Sequence, residues 1–248
     1  MQEIKKNSFS MVFVRTCLFY LTLFIWTFMI TVAFSPIFIS ATLKKVAKQR
    51  IGVIWAFGVM TLLRLICGVR YRVLYDDISI VNEKRILIGS RHESPWETMF
   101  FFTVFKKLSF VVKEELLKIP FYGWYLEVLD MIPIKRNHGM GALRKVIRGA
   151  ERNLENGGSF LIFPEGTRVP HGVVADCKHG IYAVYKNIVQ KFGDVPLVPV
   201  ALDSGKLWKR DQFRIEPGLI TVRIHSRLLP NLSQEEFIKT LQKRINSI

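Results

Sequence analysis

From Cys17 to Leu43 the chain carries no charged side chain. As a helix rising 1.5 Å per residue that run reaches about 40 Å, longer than the roughly 30 Å hydrocarbon core of a bilayer. A secretory signal has a shorter apolar core and a small-residue cleavage site, so the run reads as a retained anchor. Ser35-Pro36 is placed to kink or end the helix. A second apolar stretch, Ile51 to Val69, is interrupted by Arg64 and follows the basic cluster Lys44, Lys45, Lys48 and Arg50. It reads as a shorter, interfacial or re-entrant helix. Lys5, Lys6 and Arg15 flank the first stretch on its other side, so the charges fit a hairpin with both ends cytoplasmic better than a single crossing. Residues 1–69 are therefore expected to be membrane-anchoring helices, and 70–248 a separate domain.

Beyond the anchor the period changes. Short apolar runs at Arg70 to Tyr75, Ile86 to Gly89, Ser109 to Val112, Met131 to Ile134, Phe160 to Phe163, Leu197 to Leu202 and Leu219 to His225 read as strands. Between and after them, Pro95 to Lys106, Met140 to Glu155, Gly180 to Lys191 and Gln234 to Ile245 have helical spacing. Asn156-Gly157-Gly158 is a helix stop. Such alternation predicts an α/β fold: a mixed, largely parallel sheet flanked by helices, with the apolar helical anchor in front.

The formal charge is +16. A basic chain usually meets nucleic acid or an anionic membrane. Here half the residues are hydrophobic, and no recognition helix or stacking motif organises the cations, so anionic membrane lipids are the expected partner and nucleic acid is not. Cys17, Cys67 and Cys177 are odd in number and widely spaced, which suits neither a disulfide framework nor a metal site. His92, His138, His171, His179 and His225 lack metal-ligand spacing, so no metal is expected. There is no dinucleotide fingerprint and no Walker loop.

The chemistry concentrates in Ser90-Arg91-His92-Glu93-Ser94-Pro95-Trp96-Glu97-Thr98. Drawing a proton from an alcohol at neutral pH needs a base such as imidazole. A carboxylate on its other N–H would select the tautomer and stabilise the imidazolium that forms. Glu97 is in reach of His92 if the segment is a strand-to-helix turn. The same residues also spell a capping box, with Ser94 as N-cap, Pro95 in the first turn and Glu97 at its third position. This segment alone supports both readings equally.

About seventy residues later comes Phe163-Pro164-Glu165-Gly166-Thr167-Arg168, where a glycine turn sets an arginine beside a carboxylate. In order, His92 to Glu97, Gly123 through Ile134-Lys135-Arg136-Asn137, Phe163 to Arg168 and Val198-Pro199-Val200-Ala201 resemble the glycerolipid acyltransferase family, whose best-known members are the 1-acyl-sn-glycerol-3-phosphate (lysophosphatidate) acyltransferases. Lys178-His179-Gly180 looks like the lysine-x-glycine step between the family's last two blocks. The blocks cover a bit under half of the chain, and Phe-Pro-Glu-Gly-Thr-Arg is the most specific of them. One departure is Glu97, where most members have aspartate.

The resemblance implies that residues 70–248 are the catalytic domain. It implies that His92 is the general base on the sn-2 hydroxyl of lysophosphatidic acid, with Glu97 as its orienter. Acyl-CoA or acyl-carrier protein would be the acyl donor, no covalent acyl-enzyme would form, and no cofactor would be required. Arg136 and Arg168 map onto the family's phosphate-binding arginines. Glu165, Gly166 and Thr167 shape the acceptor site, and Lys113 is a further phosphate candidate, against its reading as an exposed lysine in a salt bridge. Arg168 has the alternative of pairing with Glu165 to hold its own turn. The implied location is a membrane, the bacterial inner membrane with the catalytic domain on its cytoplasmic side, where the anchor also offers an apolar path for an acyl chain. Competing readings are an acyltransferase for another lysolipid, such as a lyso-ornithine lipid or lysophospholipid, and a non-catalytic membrane lipid-binding protein.

Overall fold

A computed structural model describes residues 2–35, 41–120, 122–135 and 139–248. Its elements are α1 (Gln2–Ala33), α2 (Ala41–Leu62), β1 (Val69–Tyr75), β2 (Ile86–Ser90), α3 (Trp96–Phe100), β3 (Leu108–Lys113), α4 (Tyr122–Val128), β4 (Ile132–Ile134), α5 (Gly139–Glu155), β5 (Ser159–Ile162), α6 (Gly180–Phe192), β6 (Leu197–Leu202), β7 (Gly218–Ile224) and α7 (Gln234–Ile245). Each expected strand is present to within one residue. They form one seven-stranded sheet in the order β1-β7-β6-β2-β5-β3-β4. Neighbours are parallel except β6 and β7, which are antiparallel. The expected α/β architecture is thus the one found.

The strand period of two sorts the core into two layers. Ile86, Ile88, Val198 and Val200 face a core shared with α1, α2 and α3, whereas Leu87, Phe160 and Leu197 face one closed by α5, α6 and α7. β2 is buried at every residue, as a central parallel strand covered on both faces must be. The helix stop after α5 is a Schellman turn. Gly157 adopts φ +67, Gly157 N–H donates to Leu154 O at 2.9 Å and Gly158 N–H to Asn153 O at 3.1 Å.

Two expectations change. The helix expected from Pro95 to Lys106 is α-helical only over Trp96–Phe100 and then tightens to a 3-10 turn, Phe101–Thr103. The Thr103 hydroxyl donates to Phe100 O at 2.7 Å, and Lys107 turns into the left-handed region at φ 47. The structure also has α4, which was not expected. Pro36, the expected end of the first helix, lies outside the described residues.

Two helical spans, Ser10–Ala33 and Arg50–Cys67, are long and apolar enough to cross a membrane. They pair as an antiparallel hairpin. Trp26 Nε1 donates to Trp55 O at 3.1 Å and Trp55 Nε1 to Thr27 Oγ1 at 3.1 Å. The Trp26 ring lies 2.2 Å from where a Cβ on Gly58 would stand. One face of the hairpin packs on the domain, with Phe19, Ile51 and Val59 fully buried. Ile215 N–H donates to Thr16 Oγ1 at 3.1 Å. Further along α1, the Thr31 hydroxyl meets Tyr125 OH at 3.3 Å. The opposite face leaves Leu21, Phe24, Phe28 and Met29 exposed. A π-helical turn, Leu63–Cys67, and a left-handed Gly68 lead into β1.

Candidate active site

β2 ends at Ser90 in the middle of the sheet, and Arg91 to Pro95 turn the chain into α3. His92 therefore sits at the carboxyl edge of a central strand, where open α/β sheets collect ligands. On one side β5 delivers Phe163, whose ring stacks on the imidazole with centroids 4.0 Å apart and planes 18° apart. On the other side β6 delivers Ser204.

His92 Nδ1 lies 2.9 Å from Glu97 Oε1. The carboxylate can only accept, so the proton is on Nδ1 and Nε2 is the bare nitrogen. Among the described residues no polar side chain or backbone group is bonded to Nε2. Glu97 is fully buried. Its Oε1 also accepts from Glu93 N–H at 2.6 Å and Ser94 N–H at 2.7 Å. Its Oε2 meets the hydroxyls of Ser94 at 2.8 Å and Ser204 at 2.7 Å. Burial raises the titration of this carboxyl, but the hydrogen bonds, the one from His92 foremost, outweigh burial and hold it below the ordinary carboxylate value.

The capping box and the base-orienter pair turn out to be one arrangement. Trp96 N–H donates to Ser94 Oγ at 3.1 Å while Ser94 N–H donates to Glu97. Glu97 thus closes the first turn of α3 with the same oxygen that holds the imidazole.

The Phe163–Arg168 turn places its residues differently. Gly166 takes φ +70, a conformation that suits glycine, and its N–H donates to Phe163 O at 3.0 Å. Lys178 crosses over it, with Nζ 2.8 Å from where a Cβ would stand. This turn folds Glu165 inward, its Oε1 3.9 Å from Arg91 Nη1 and 3.5 Å from His92 N. Glu165 Oε2 is buried with no hydrogen-bond partner among the described residues. Burial pushes the Glu165 carboxyl up to about 7, against the opposing pull of its own backbone N–H and of Arg91. Thr167 and Arg168 emerge half-buried on the outer side.

The alternative for Arg168, a local pairing with Glu165, is not formed. Arg168 Nη2 instead lies 4.0 Å from Asp211 Oδ1, because the glycine turn sends the two side chains in opposite directions. Lys113 stands exposed at the carboxyl end of β3, on the same edge of the sheet. It makes no salt bridge among the described residues, and the ion pair nearby joins Lys135 to Glu114 at 3.8 Å. Arg136 lies outside the described residues. No group of three or more His, Cys, Asp or Glu side chains among the described residues is gathered as a metal site would be.

Sequence reasoning missed the supports beneath this site. Arg91 is buried and donates Nε to Glu93 Oε1 at 2.8 Å and Nη2 to Pro170 O at 3.2 Å; further bonds reach Asn246 and Val173. Glu93 Oε2 accepts from Gly205 N–H at 2.8 Å. Val169 N–H donates to His92 O at 2.7 Å. The base is thereby tied to the turn after β5, to the turn after β6 and to the end of the last helix. Arg91 and Glu93 flank His92 in sequence and look like ordinary surface charges there. Ser204 has no local signal at all.

Comparison with known proteins gives a consistent picture. A family model described as Acyltransferase matches residues 72–203. A 1-acyl-sn-glycerol-3-phosphate acyltransferase of Pseudomonas aeruginosa is 36% identical over 216 residues, spanning 85% of this chain and 79% of that protein. A chloroplastic 1-acyl-sn-glycerol-3-phosphate acyltransferase of Arabidopsis thaliana is 30% identical over 119 residues, 48% of this chain and 32% of the plant protein. Among solved structures, the 1-acyl-sn-glycerophosphate acyltransferase PlsC of Thermotoga maritima superposes with a TM-score of 0.73 at 22% identity, covering 99% of this chain and 95% of that one. At that identity the superposition speaks for the fold.

Proposed function

Because the chain belongs to the acyltransferase family, we propose that it transfers an acyl group from acyl-CoA or acyl-carrier protein to the sn-2 hydroxyl of 1-acyl-sn-glycerol-3-phosphate, giving phosphatidic acid. The observation that carries this reading is the 2.9 Å contact between His92 Nδ1 and a fully buried, ionised Glu97, which leaves Nε2 bare. Nε2 takes the acceptor's hydroxyl proton as the oxygen attacks the thioester carbonyl. The C–S bond then breaks and the thiolate leaves with the proton that the imidazolium returns. Phe163 stacks on the ring and, with Glu97, fixes its plane. No side chain carries the acyl group between the two substrates.

Arg168 receives the acceptor's phosphate, which has the charge and oxygens to displace Asp211 from a half-buried guanidinium. Arg136 and Lys113 add positive charge on the reading drawn from the sequence, and Glu165, Gly166 and Thr167 form the turn against which the glycerol lies. The hairpin's exposed apolar face holds the domain at a membrane, from which acceptor and product never depart. The catalytic domain lies on the cytoplasmic side of the bacterial inner membrane.

The test uses membranes carrying the protein or its His92→Ala variant, supplied with acyl-CoA and lysophosphatidate. Thiol release and phosphatidate formation are followed together. Loss of both in the variant is expected, and equal rates would remove the catalytic reading. Arg168→Ala should raise KM for lysophosphatidate about tenfold and leave KM for acyl-CoA unchanged, since a guanidinium–phosphate contact is worth one or more charge-assisted hydrogen bonds. Preference for a phosphate-free lysolipid would move the acceptor elsewhere.

A further inference from the structure

We infer that Ser204 is a positioning residue for the reaction, acting through Glu97 on His92. This rests on the reading of His92 as the base. Ser204 is fully buried and lies 107 residues from Glu97 in sequence, yet its Oγ stands 2.7 Å from Glu97 Oε2 and 2.8 Å from Ser94 Oγ. The carboxylate is therefore held by both oxygens. Oε1 takes two backbone N–H groups and the imidazole, all from its own turn. Oε2 takes only hydroxyls, and the one from Ser204 comes from the turn after β6.

That second anchor follows from the side chain's length. An aspartate reaching His92 from position 97 would be one methylene shorter, with little freedom left to swing. Glutamate has one more rotatable bond, and its carboxyl must be stopped from turning about the last one before it can hold an imidazole in one plane. Ser204 supplies that stop from the turn after β6, a strand whose carboxyl end is fixed beside β2 by the pairing of Ser90 with Val200. The following Gly205 N–H does the same for Glu93, at 2.8 Å from Oε2. A side chain on Gly205 would stand 2.9 Å from the Glu93 Cβ, so at Gly205 the turn approaches Glu93 more closely than a residue with a side chain could. The Asp203-Ser204-Gly205 turn is thus built to hold two buried carboxylates of the base's own loop.

The experiment compares Ser204→Ala and Ser204→Thr with the parent protein and with His92→Ala, measuring kcat, both KM values and the thermal midpoint. Ser204→Ala should lower kcat about tenfold with each KM within about twofold, the cost of loosening one hydrogen bond to a charged group. Ser204→Thr, which keeps the hydroxyl, should recover most of the loss. In a Glu97→Asp background, which lacks the reach to Oγ, Ser204→Ala should cost little further. Unchanged kcat in Ser204→Ala, a loss that merely follows a lowered midpoint, or the same loss in both backgrounds would each overturn the inference. Activity retained by His92→Ala would instead overturn the base itself, so the two failures are distinguishable.

Discussion

Glu165→Gln tests what burial with one carboxylate oxygen left without a hydrogen-bond partner does to this site. The folded protein holds the Glu165 carboxyl near 7, against an ordinary value of 4.5. Below 4.5 the group is protonated in both folded and unfolded chains. Between 4.5 and about 7 the unfolded chain has released a proton that the folded chain still holds, so stability falls as pH rises. Above 7 the deficit is complete. The difference of about 2.5 pK units corresponds to roughly 3 kcal/mol at 1.36 kcal/mol per unit. Glu165 is only 4% exposed, so solvent offers little relief. Glutamine keeps the shape and cannot ionise. Its stability relative to the parent should therefore rise by about 3 kcal/mol between pH 4.5 and pH 8, a shift of roughly 6 °C or more in the difference of midpoints for a chain of this size. Thermal unfolding of both proteins in one detergent at the two pH values measures it. A midpoint difference that is the same at both would refute the account of a strained, half-titrated carboxyl.

Other outcomes follow from the same geometry. Glu97→Gln replaces one oxygen with an amide donor facing groups that already donate; it should lose roughly a thousandfold or more in kcat, as when a base loses the carboxylate that fixes its tautomer. It should also lose about 1 to 3 kcal/mol of stability, from the donors left unpaired, and unaltered turnover with a lowered midpoint would reduce Glu97 to a cap. Gly58→Ala drives a methyl into the Trp26 ring, 2.2 Å away. It should cost about 1 to 3 kcal/mol by overpacking, read as a lower midpoint in detergent.

The sheet was legible because its strands are short apolar runs that alternate between two cores. Ile86 and Ile88 on one side and Leu87 on the other already carry the period. α4 was not, since Tyr122-Gly123-Trp124-Tyr125 combines a glycine with β-favouring aromatics. Packing against the hairpin, where Tyr125 and Val128 join Ile30 and Ile51, overrides that preference. Of the site, His92 and Glu97 were legible because their five-residue separation spans one turn. Arg168 and Glu165 are near neighbours in sequence, and their apparent pairing fails because the left-handed Gly166 between them reverses the chain. Ser204 and Asn246 reach the site only through the order of the strands and the path of α7. The N-terminal run was legible as a helix long and apolar enough to cross a membrane; its fully buried Phe19 showed only in the fold, since a helix hydrophobic all round does not reveal which face meets protein.

α1 is fastened to the domain at Thr16 and again at Thr31, points about 22 Å apart along a helix. On the membrane reading proposed above, a rod riveted to a folded domain over most of a bilayer's hydrophobic depth has no room to stand upright among lipid tails without dragging that domain in. It would recline with its bare flank in the near monolayer, so that lipids would be drawn from one side only and the product would gather there asymmetrically.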